Sequence, residues 1–362
     1  MRSRRPQHRS RRRRGTVLIL VGLVTLPLLG MVAFATDYGY LLKCQADLQR
    51  AADATALAAV LDLEPCTDGT QDLEPVYDAV REYAVANMTD GFSVLSADIE
   101  IGRFEPATVY SDVQIAQTGI YDTVRVTLRR DASANGEVAL FFANALGIGS
   151  APITATATAA LRKSSGLEAG SDVLPFAVPL DEWDMINAGD QWNIYGDGRI
   201  LDSGGGEVPG NWGTVDIGLG SNSTDDLGDQ ILNGLRQHDL DALYDQGAIP
   251  TTEYIDAFHA MWLGADSGLS VGMKHDLYPI IGEERLIPIY DTLNDEGGDN
   301  MAAHIVRWGV VKVVDANFSG SKNSYLEIAK GYLYDADLRA HPDLSEDFDV
   351  IEGAFTSPVL LE

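Results

Sequence analysis

Gly15-Thr-Val-Leu-Ile-Leu-Val-Gly-Leu-Val-Thr-Leu-Pro-Leu-Leu-Gly-Met-Val-Ala-Phe-Ala-Thr36 runs without a break into Asp37-Tyr-Gly-Tyr-Leu-Leu-Lys-Cys-Gln-Ala-Asp-Leu-Gln-Arg-Ala-Ala-Asp-Ala-Thr-Ala-Leu-Ala-Ala-Val-Leu61. Thr16 to Thr36 holds no charged residue. As an α-helix this run is about 30 Å long, the thickness of one hydrocarbon core. A secretory signal peptide also has a basic start and an apolar centre, but its centre is shorter and a helix does not usually continue past it. The segment from Tyr40 to Gln49 continues as helix, so the reading is an uncleaved anchor over 15–36. Pro27 removes one helical hydrogen bond in mid-span, which membrane helices tolerate by local adjustment, and a kink is expected there.

Eight arginines precede the run, between Met1 and Arg14. A basic flank places residues 1–14 in the cytoplasm and everything after Asp37 on the far side of the membrane. The chain has 362 residues, with 26 Lys and Arg against 54 Asp and Glu. Setting aside the eight arginines leaves 18 basic residues to balance the 54 acidic ones, so the exported part carries a net charge of −36. Such a body repels phosphate backbones, which excludes nucleic acid as a partner. A hydrophobic content of 45% is that of a folded protein, and the exported length is enough for two cores. The two cysteines, Cys44 and Cys66, would lie roughly 30 Å apart on one straight helix, beyond the reach of a disulfide.

Gln45 to Leu61 lacks Gly and Pro and is rich in alanine, the best helix former. Several elements of this region stand in a recognisable order: Arg14-Gly15 before the apolar run, Leu26-Pro27-Leu28-Leu29-Gly30 within it, and Asp37-Tyr38-Gly39 at its end. Leu48-Gln49, Ala51-Ala52-Asp53-Ala54 and Ala56-Leu57-Ala58 follow. Together they resemble the N-terminal module of TadE/TadG-like proteins of the bacterial tight-adherence (Flp pilus) assembly system. The resemblance implies a single-pass protein of the bacterial inner membrane whose partners are other pilus-assembly or envelope proteins. It also implies lipid contact through the anchor and leaves self-association through the Ala-rich helix open. Two departures limit it. Prepilins carry Glu at the fifth position after the leader glycine, where this chain has Leu20, so processing at Gly15 is not expected. The von Willebrand factor A body of many TadG proteins begins its metal site with Asp-x-Ser-x-Ser, and Asp131-Ala-Ser133-Ala-Asn135, Asp266-Ser-Gly-Leu-Ser270 and Asp343-Leu-Ser345-Glu-Asp347 each miss a ligand position.

The predicted architecture is α+β: a transmembrane helix over 15–36, an Ala-rich helix with a small α+β module over 37–162, a linker over 163–171, and a β-rich α+β domain over 172–362. In the module, Asp72 to Met88 suits a helix with Leu73, Val76, Val80, Tyr83 and Ala84 on one face. Ile99 to Phe104 and Thr123 to Leu128 alternate as strands, the second with Val124, Val126 and Leu128 inward. Asn135-Gly136 is expected to turn into a short helix over Glu137 to Leu146, with Phe141 and Phe142 in the core. Pro152 to Leu161 reads as the closing strand. Arg162 to Ser171 is polar, holds glycine and lacks periodicity, which marks the linker. Beyond it, Val173 to Leu180, Trp192 to Tyr195, Thr214 to Ile217, Leu286 to Tyr290, Ile305 to Val314 and Leu326 to Tyr334 read as strands. Leu227 to Leu235, Thr252 to Trp262 and Leu269 to Ile281 read as helices.

No residue is assigned a catalytic, cofactor-binding or metal-ligating role. Gly268-Leu-Ser270-Val-Gly272 fits the nucleophile elbow, but with a helix expected over Thr252 to Trp262 no strand delivers Ser270, and His275 lies too close in sequence to act as its base. His8, His238, His259, His275, His304 and His341 make no ligand pair, and neither cysteine belongs to a Cys-x-x-Cys pair. The acidic groups Asp197, Asp225-Asp226 with Asp229, and Asp295-Glu296 with Asp299 read as solvated surface, and Asp241 with Asp245 miss the calcium-loop spacing at Leu243 and Gln246. Ser203 to Gly206 and Gly218 to Ser223 lack a phosphate-loop lysine. The reading is therefore a non-enzymatic, membrane-anchored assembly protein acting by protein contact. The alternative is a tethered hydrolase or carbohydrate-binding protein, which requires a cleft in 172–362 with paired carboxylates and exposed Trp183, Trp192, Trp212 or Trp262.

Overall fold

A computed structural model describes residues 14–63, 71–88, 91–105, 114–117, 121–186, 190–195, 200–201, 207–208, 213–218, 223–267, 271–295, 301–317, 324–335, 338–342 and 351–361. The basic tail, Cys66, Trp212, Ser270, Asp197, Glu296, Asp299, Ser345 and the glycine run at Ser203 to Gly206 lie outside the described residues.

The anchor helix is one element, Arg14–Val60, passing through Pro27. Its apolar run is long enough to cross a membrane, and Ile19, Leu23, Leu26, Met31 and Phe34 all stand exposed. Two of the three threonines in the run satisfy their hydroxyls within the helix itself. Thr25 Oγ1 donates to the Val21 carbonyl at 2.7 Å and Thr36 Oγ1 to the Val32 carbonyl at 2.8 Å.

Past the apolar run the same helix turns one face inward. Leu48, Ala51, Ala52, Thr55, Ala56, Ala59 and Val60 are buried, following helical spacing along one stripe. Small side chains let this stripe lie close on a sheet. A second helix, Glu74–Asn87, packs beside it through Val76, Ala79, Val80 and Ala84. Tyr83, expected on that face, is instead 44% exposed, and Ala79 occupies the inward position.

The sheet beneath is organised by one strand, Ile153–Glu168, which we call the spine strand. On one edge it pairs antiparallel with Thr123–Arg130, which pairs with Ile99–Glu105 and then Gln114–Ala116. Val124, Val126 and Leu128 point inward as their alternation required. The C-terminal strand, Ala354–Leu361, pairs with the spine from Lys163 back to Thr158. Ahead of that register the anchor helix covers the spine: Gln45 and Gln49 donate through Nε2 to the Thr154 and Thr156 carbonyls at 2.6 and 3.0 Å. These amides satisfy acceptors that an uncovered edge would offer to another chain.

The polar stretch Arg162 to Ser171 is not a free linker along its length, because the spine continues through Glu168 with Ser164 and Leu167 buried. Gly166 shows why glycine is needed there: a Cβ would sit 2.6 Å from the Ile255 carbonyl oxygen of the strand Tyr254–Asp256.

The rest of the body is β-rich. Strands Met301–Asn317, Met261–Ser267, Gly213–Val215, Phe176–Pro179 and Glu284–Asp295 form a closed hydrogen-bonded ring, since the first and last also pair with each other. Tyr325–Lys330 and Gln191–Tyr195 extend it outward. The helices Thr224–Asn233 and Gln237–Asp245 cover it, and the second lies in a stretch the sequence left unassigned. The helix expected over Thr252 to Trp262 is absent: Tyr254–Asp256 and Met261–Ser267 are strands. The helix expected over Leu269 to Ile281 is present as consecutive short pieces, a 3-10 turn Val271–Met273, an α-helical turn Lys274–Leu277 and a 3-10 turn Tyr278–Ile280. Glu137 to Leu146 is not a helix but one arm of a small hairpin, Val138–Ala139 with Ser150–Ala151, carrying a 3-10 turn at Ala143–Leu146.

Trp183 locks the ring to the spine sheet. It is 1% exposed and donates from Nε1 to Glu352 at 3.1 Å, just ahead of the C-terminal strand, while its ring overlies Gly309. A Cβ at Gly309 would overlap the indole carbons Cζ2 and Cη2. Gly309→Ala is therefore expected to lower unfolding stability by about 1–3 kcal/mol, the usual range for overpacking, read as a fall in the urea midpoint of the detergent-solubilised protein.

Candidate functional site: the membrane exit of the anchor helix

Asp37 is the first charged residue after the apolar run, and its side chain is 5% exposed. Its Oδ1 accepts the backbone N–H of Phe141 at 2.9 Å, and Oδ2 accepts those of Phe142 at 2.9 Å and Ala143 at 2.7 Å. Three successive N–H groups thus converge on one carboxylate, closing a contact across more than a hundred residues. Burial pushes the Asp37 carboxyl up, but the three donors outweigh it and hold the group below the ordinary aspartate range. One turn further on, Tyr40 meets the Phe141 ring edge-on with centroids 5.2 Å apart. On the other side Phe34 stacks on Tyr38 at 5.8 Å.

This clamp makes the hairpin part of the exit. Asn135, with φ of 62°, and Gly136, with φ of 67°, turn the chain into it. Asn135 fixes the turn by accepting from Ser93 N–H at 2.8 Å and donating to the Ser93 and Arg129 carbonyls at 2.9 and 2.8 Å. The expectation that Phe141 and Phe142 fill the core is corrected here: they are 65% and 49% exposed, held outward because their own N–H groups are tied to Asp37.

A concavity of about 420 Å³ lies between the spine sheet and the ring, lined by Arg103, Asp122, Lys163, Trp183, Arg307, Trp308 and Glu352 among others. Its two carboxylates already have structural work. Asp122 accepts Phe104 N–H at 2.6 Å and the Thr123 hydroxyl at 2.7 Å, and Glu352 takes Trp183 Nε1 and Lys330 Nζ, each at 3.1 Å. Burial raises the Asp122 carboxyl and lowers the Lys163 ammonium from their ordinary values. Trp183, Trp192 and Trp308 are at most 5% exposed, whereas Trp262 is 49% exposed and lies against His304 at 4.8 Å. His304 Nδ1 is 2.8 Å from Asp291 Oδ1.

The remaining sequence motifs separate in space. The strand Met261–Ser267 does run up to Gly268, so the objection that no strand precedes Ser270 falls; the strand pairs antiparallel on both edges, unlike the parallel setting of a nucleophile elbow. Asp225 and Asp226 occupy the first turn of Thr224–Asn233, where Ser223 accepts the Asp226 N–H at 3.2 Å, and Asp229 pairs with Arg236 at 2.6 Å. Negative charge at a helix N-terminus explains that acidic group. Asp241 and Asp245 are on the helix Gln237–Asp245. No group of three or more His, Cys, Asp or Glu side chains among the described residues is placed to hold a metal ion.

A family model described as Flp pilus-assembly TadE/G-like matches residues 15–62, and a second, Tad-like Flp pilus-assembly, matches residues 43–159. The N-terminal module is TadE/TadG-like. The two matches overlap on the Ala-rich part of the anchor helix and take in Asp37, the hairpin and the first half of the spine strand. Neither a curated protein nor a solved structure matches the chain. The matched families and the apolar helix together fit a membrane-anchored pilus-assembly protein of the cell envelope.

Two outcomes follow. In Asp37→Asn, amide hydrogen exchange at 141–143 should rise sharply while exchange in Thr123–Arg130 stays unchanged. In the native chain, protection at 141–143 should persist as pH falls past the ordinary aspartate pKa and be lost only when the depressed Asp37 group protonates. Glu182 gives the opposite sign. It is 2% exposed, neither carboxylate oxygen has a hydrogen-bond partner among the described residues, and burial, assisted by Asp181, raises its pKa to about 7. The folded state holds that proton more tightly, so stability should be full below pH ~4.5 and fall by about 3 kcal/mol as pH rises to 7 and beyond. Glu182→Gln should flatten that dependence in urea titrations run from pH 4.5 to 8.

Proposed function

We propose that this chain is a single-span component of a tight-adherence (Flp pilus) type assembly or secretion machine in the bacterial inner membrane. Its N-terminus is cytoplasmic and its acidic body is exported, and it acts by protein contact rather than turnover. The observation that carries the reading is the anchor helix: an exposed apolar span continues without a break into a buried alanine stripe, and the TadE/G-like match covers that junction. The basic residues before the span support the orientation. A helix welded to its domain presents the body at a fixed place relative to the membrane, which suits a scaffold or docking part.

The carboxylates of the 420 Å³ concavity are committed to structural hydrogen bonds, which favours interaction over a glycosidase-like pair. The acidic exported surface favours a basic partner face, with attraction that weakens as salt rises. Cross-linking the full-length protein in its own membranes, followed by affinity recovery, should return pilus-assembly or secretion components. Recovery of none, together with hydrolase activity in the purified protein, would overturn the proposal.

A further inference from the structure

The hairpin at the membrane exit is the least body-like part of the exported chain. From Val138 to Leu161 there is no charged residue, in a body whose net charge is −36. At its turn Phe141, Phe142, Leu146 and Ile148 are 65%, 49%, 85% and 56% exposed. These four apolar side chains sit on one short loop, where an isolated soluble domain would rarely gather them.

Its position says what covers them. Asp37, one residue past the last of the apolar run, holds the hairpin by three backbone N–H groups. The 3-10 turn Ala143–Leu146 touches the anchor helix, and Ala33, inside the apolar run and one turn before Asp37, is half-buried while its neighbours Val32 and Phe34 are exposed. The loop therefore stands at the level where the span leaves the hydrocarbon core, and its apolar surface continues that of the span. Tyr40 and Phe141 meet edge-on at that level, where aromatic side chains settle in bilayers, while on the other side of the helix Phe34 reaches from within the apolar run to stack on Tyr38.

We infer that the hairpin 138–151 is a second membrane contact: its turn dips Phe141, Phe142, Leu146 and Ile148 into the interfacial layer of the bilayer beside the anchor helix. The occupant of the exposed patch is lipid. Phe and Leu side chains enter that layer favourably, and the absence of charge spares the contact from repulsion between an acidic body and anionic headgroups. Two points of attachment, a span and a wedge joined through Asp37, prevent the body from swinging about the exit. The inference rests on residues 15–36 lying in a bilayer, which one control probe reports separately.

The test uses the full-length chain, with Cys44 and Cys66 changed to Ser, reconstituted in phosphatidylethanolamine and phosphatidylglycerol vesicles. A single cysteine carrying an environment-sensitive fluorophore is placed by Phe142→Cys or, in a second variant where the native side chain is 85% exposed, by Leu146→Cys. Phe34→Cys serves as the buried-in-lipid control and Leu232→Cys, on the helix Thr224–Asn233, as the aqueous one. The expected result is blue-shifted emission at 142 and 146, quenched by nitroxides near the lipid headgroups and shielded from aqueous iodide. Emission and iodide quenching equal to those at 232, with the probe at 34 still in lipid, would overturn the inference. So would blue-shifted emission at 142 and 146 that lipid nitroxides fail to quench, because that outcome assigns the patch to protein. A probe at 34 that is itself in water would overturn the anchor reading as well.

Discussion

The seam between the anchor helix and the spine strand carries the rest of the structure. Leu48, Ala51, Ala52, Ala56 and Ala59 lie flat against a strand whose inward residues include Ala155, Ala157 and Ala159, so two runs of small side chains face each other. Small faces allow close approach, and close approach lets Gln45 and Gln49 reach strand carbonyls with short side-chain arms. The helix cannot slide by a turn without losing both amide contacts and the Asp37 clamp together. The sheet around it is placed from this seam, because the spine strand pairs with the N-terminal strands on one edge and with the last strand of the chain on the other.

That arrangement joins the two parts of the body that follows the apolar run. The spine runs past the N-terminal core, where Leu167 enters the core cluster shared with Leu286, Ile305 and Trp308. Trp183 and Lys330 both meet Glu352 just before the chain returns to the spine. The C-terminal strand thus pairs directly with the strand that the anchor helix covers.

The residues most legible in the sequence were those whose partners are of a general kind. A 21-residue uncharged run needs only lipid, and the alternation of Val124, Val126 and Leu128 needs only some apolar layer. What could not be read depended on particular distant partners. Glu253 to Met261 has reasonable helix propensity, yet Ile255 pairs with Leu167 and Met261 with Ile305, and pairing overrides local preference. Lys163 to Gly166 has a linker's composition, and only the approach of Ile255 explains its glycine. Phe141 and Phe142 looked like core because hydrophobicity does not distinguish a protein interior from a membrane surface. Asp37 was visible as part of a family pattern, but its role as a three-fold acceptor for a loop a hundred residues away was not.

The anchor helix must be one rigid body across its exit from the apolar run, where Gly39 would otherwise let it bend. Spin labels at Met31 and Arg50, both exposed and on either side of that exit, are separated by 19 residues of helix, or about 28 Å at the helical rise. Electron–electron distance measurement on the full-length chain in lipid nanodiscs should give a single narrow distribution centred near that value. A broad distribution, or one centred well short of it, would show that the helix breaks at the membrane and would contradict the account.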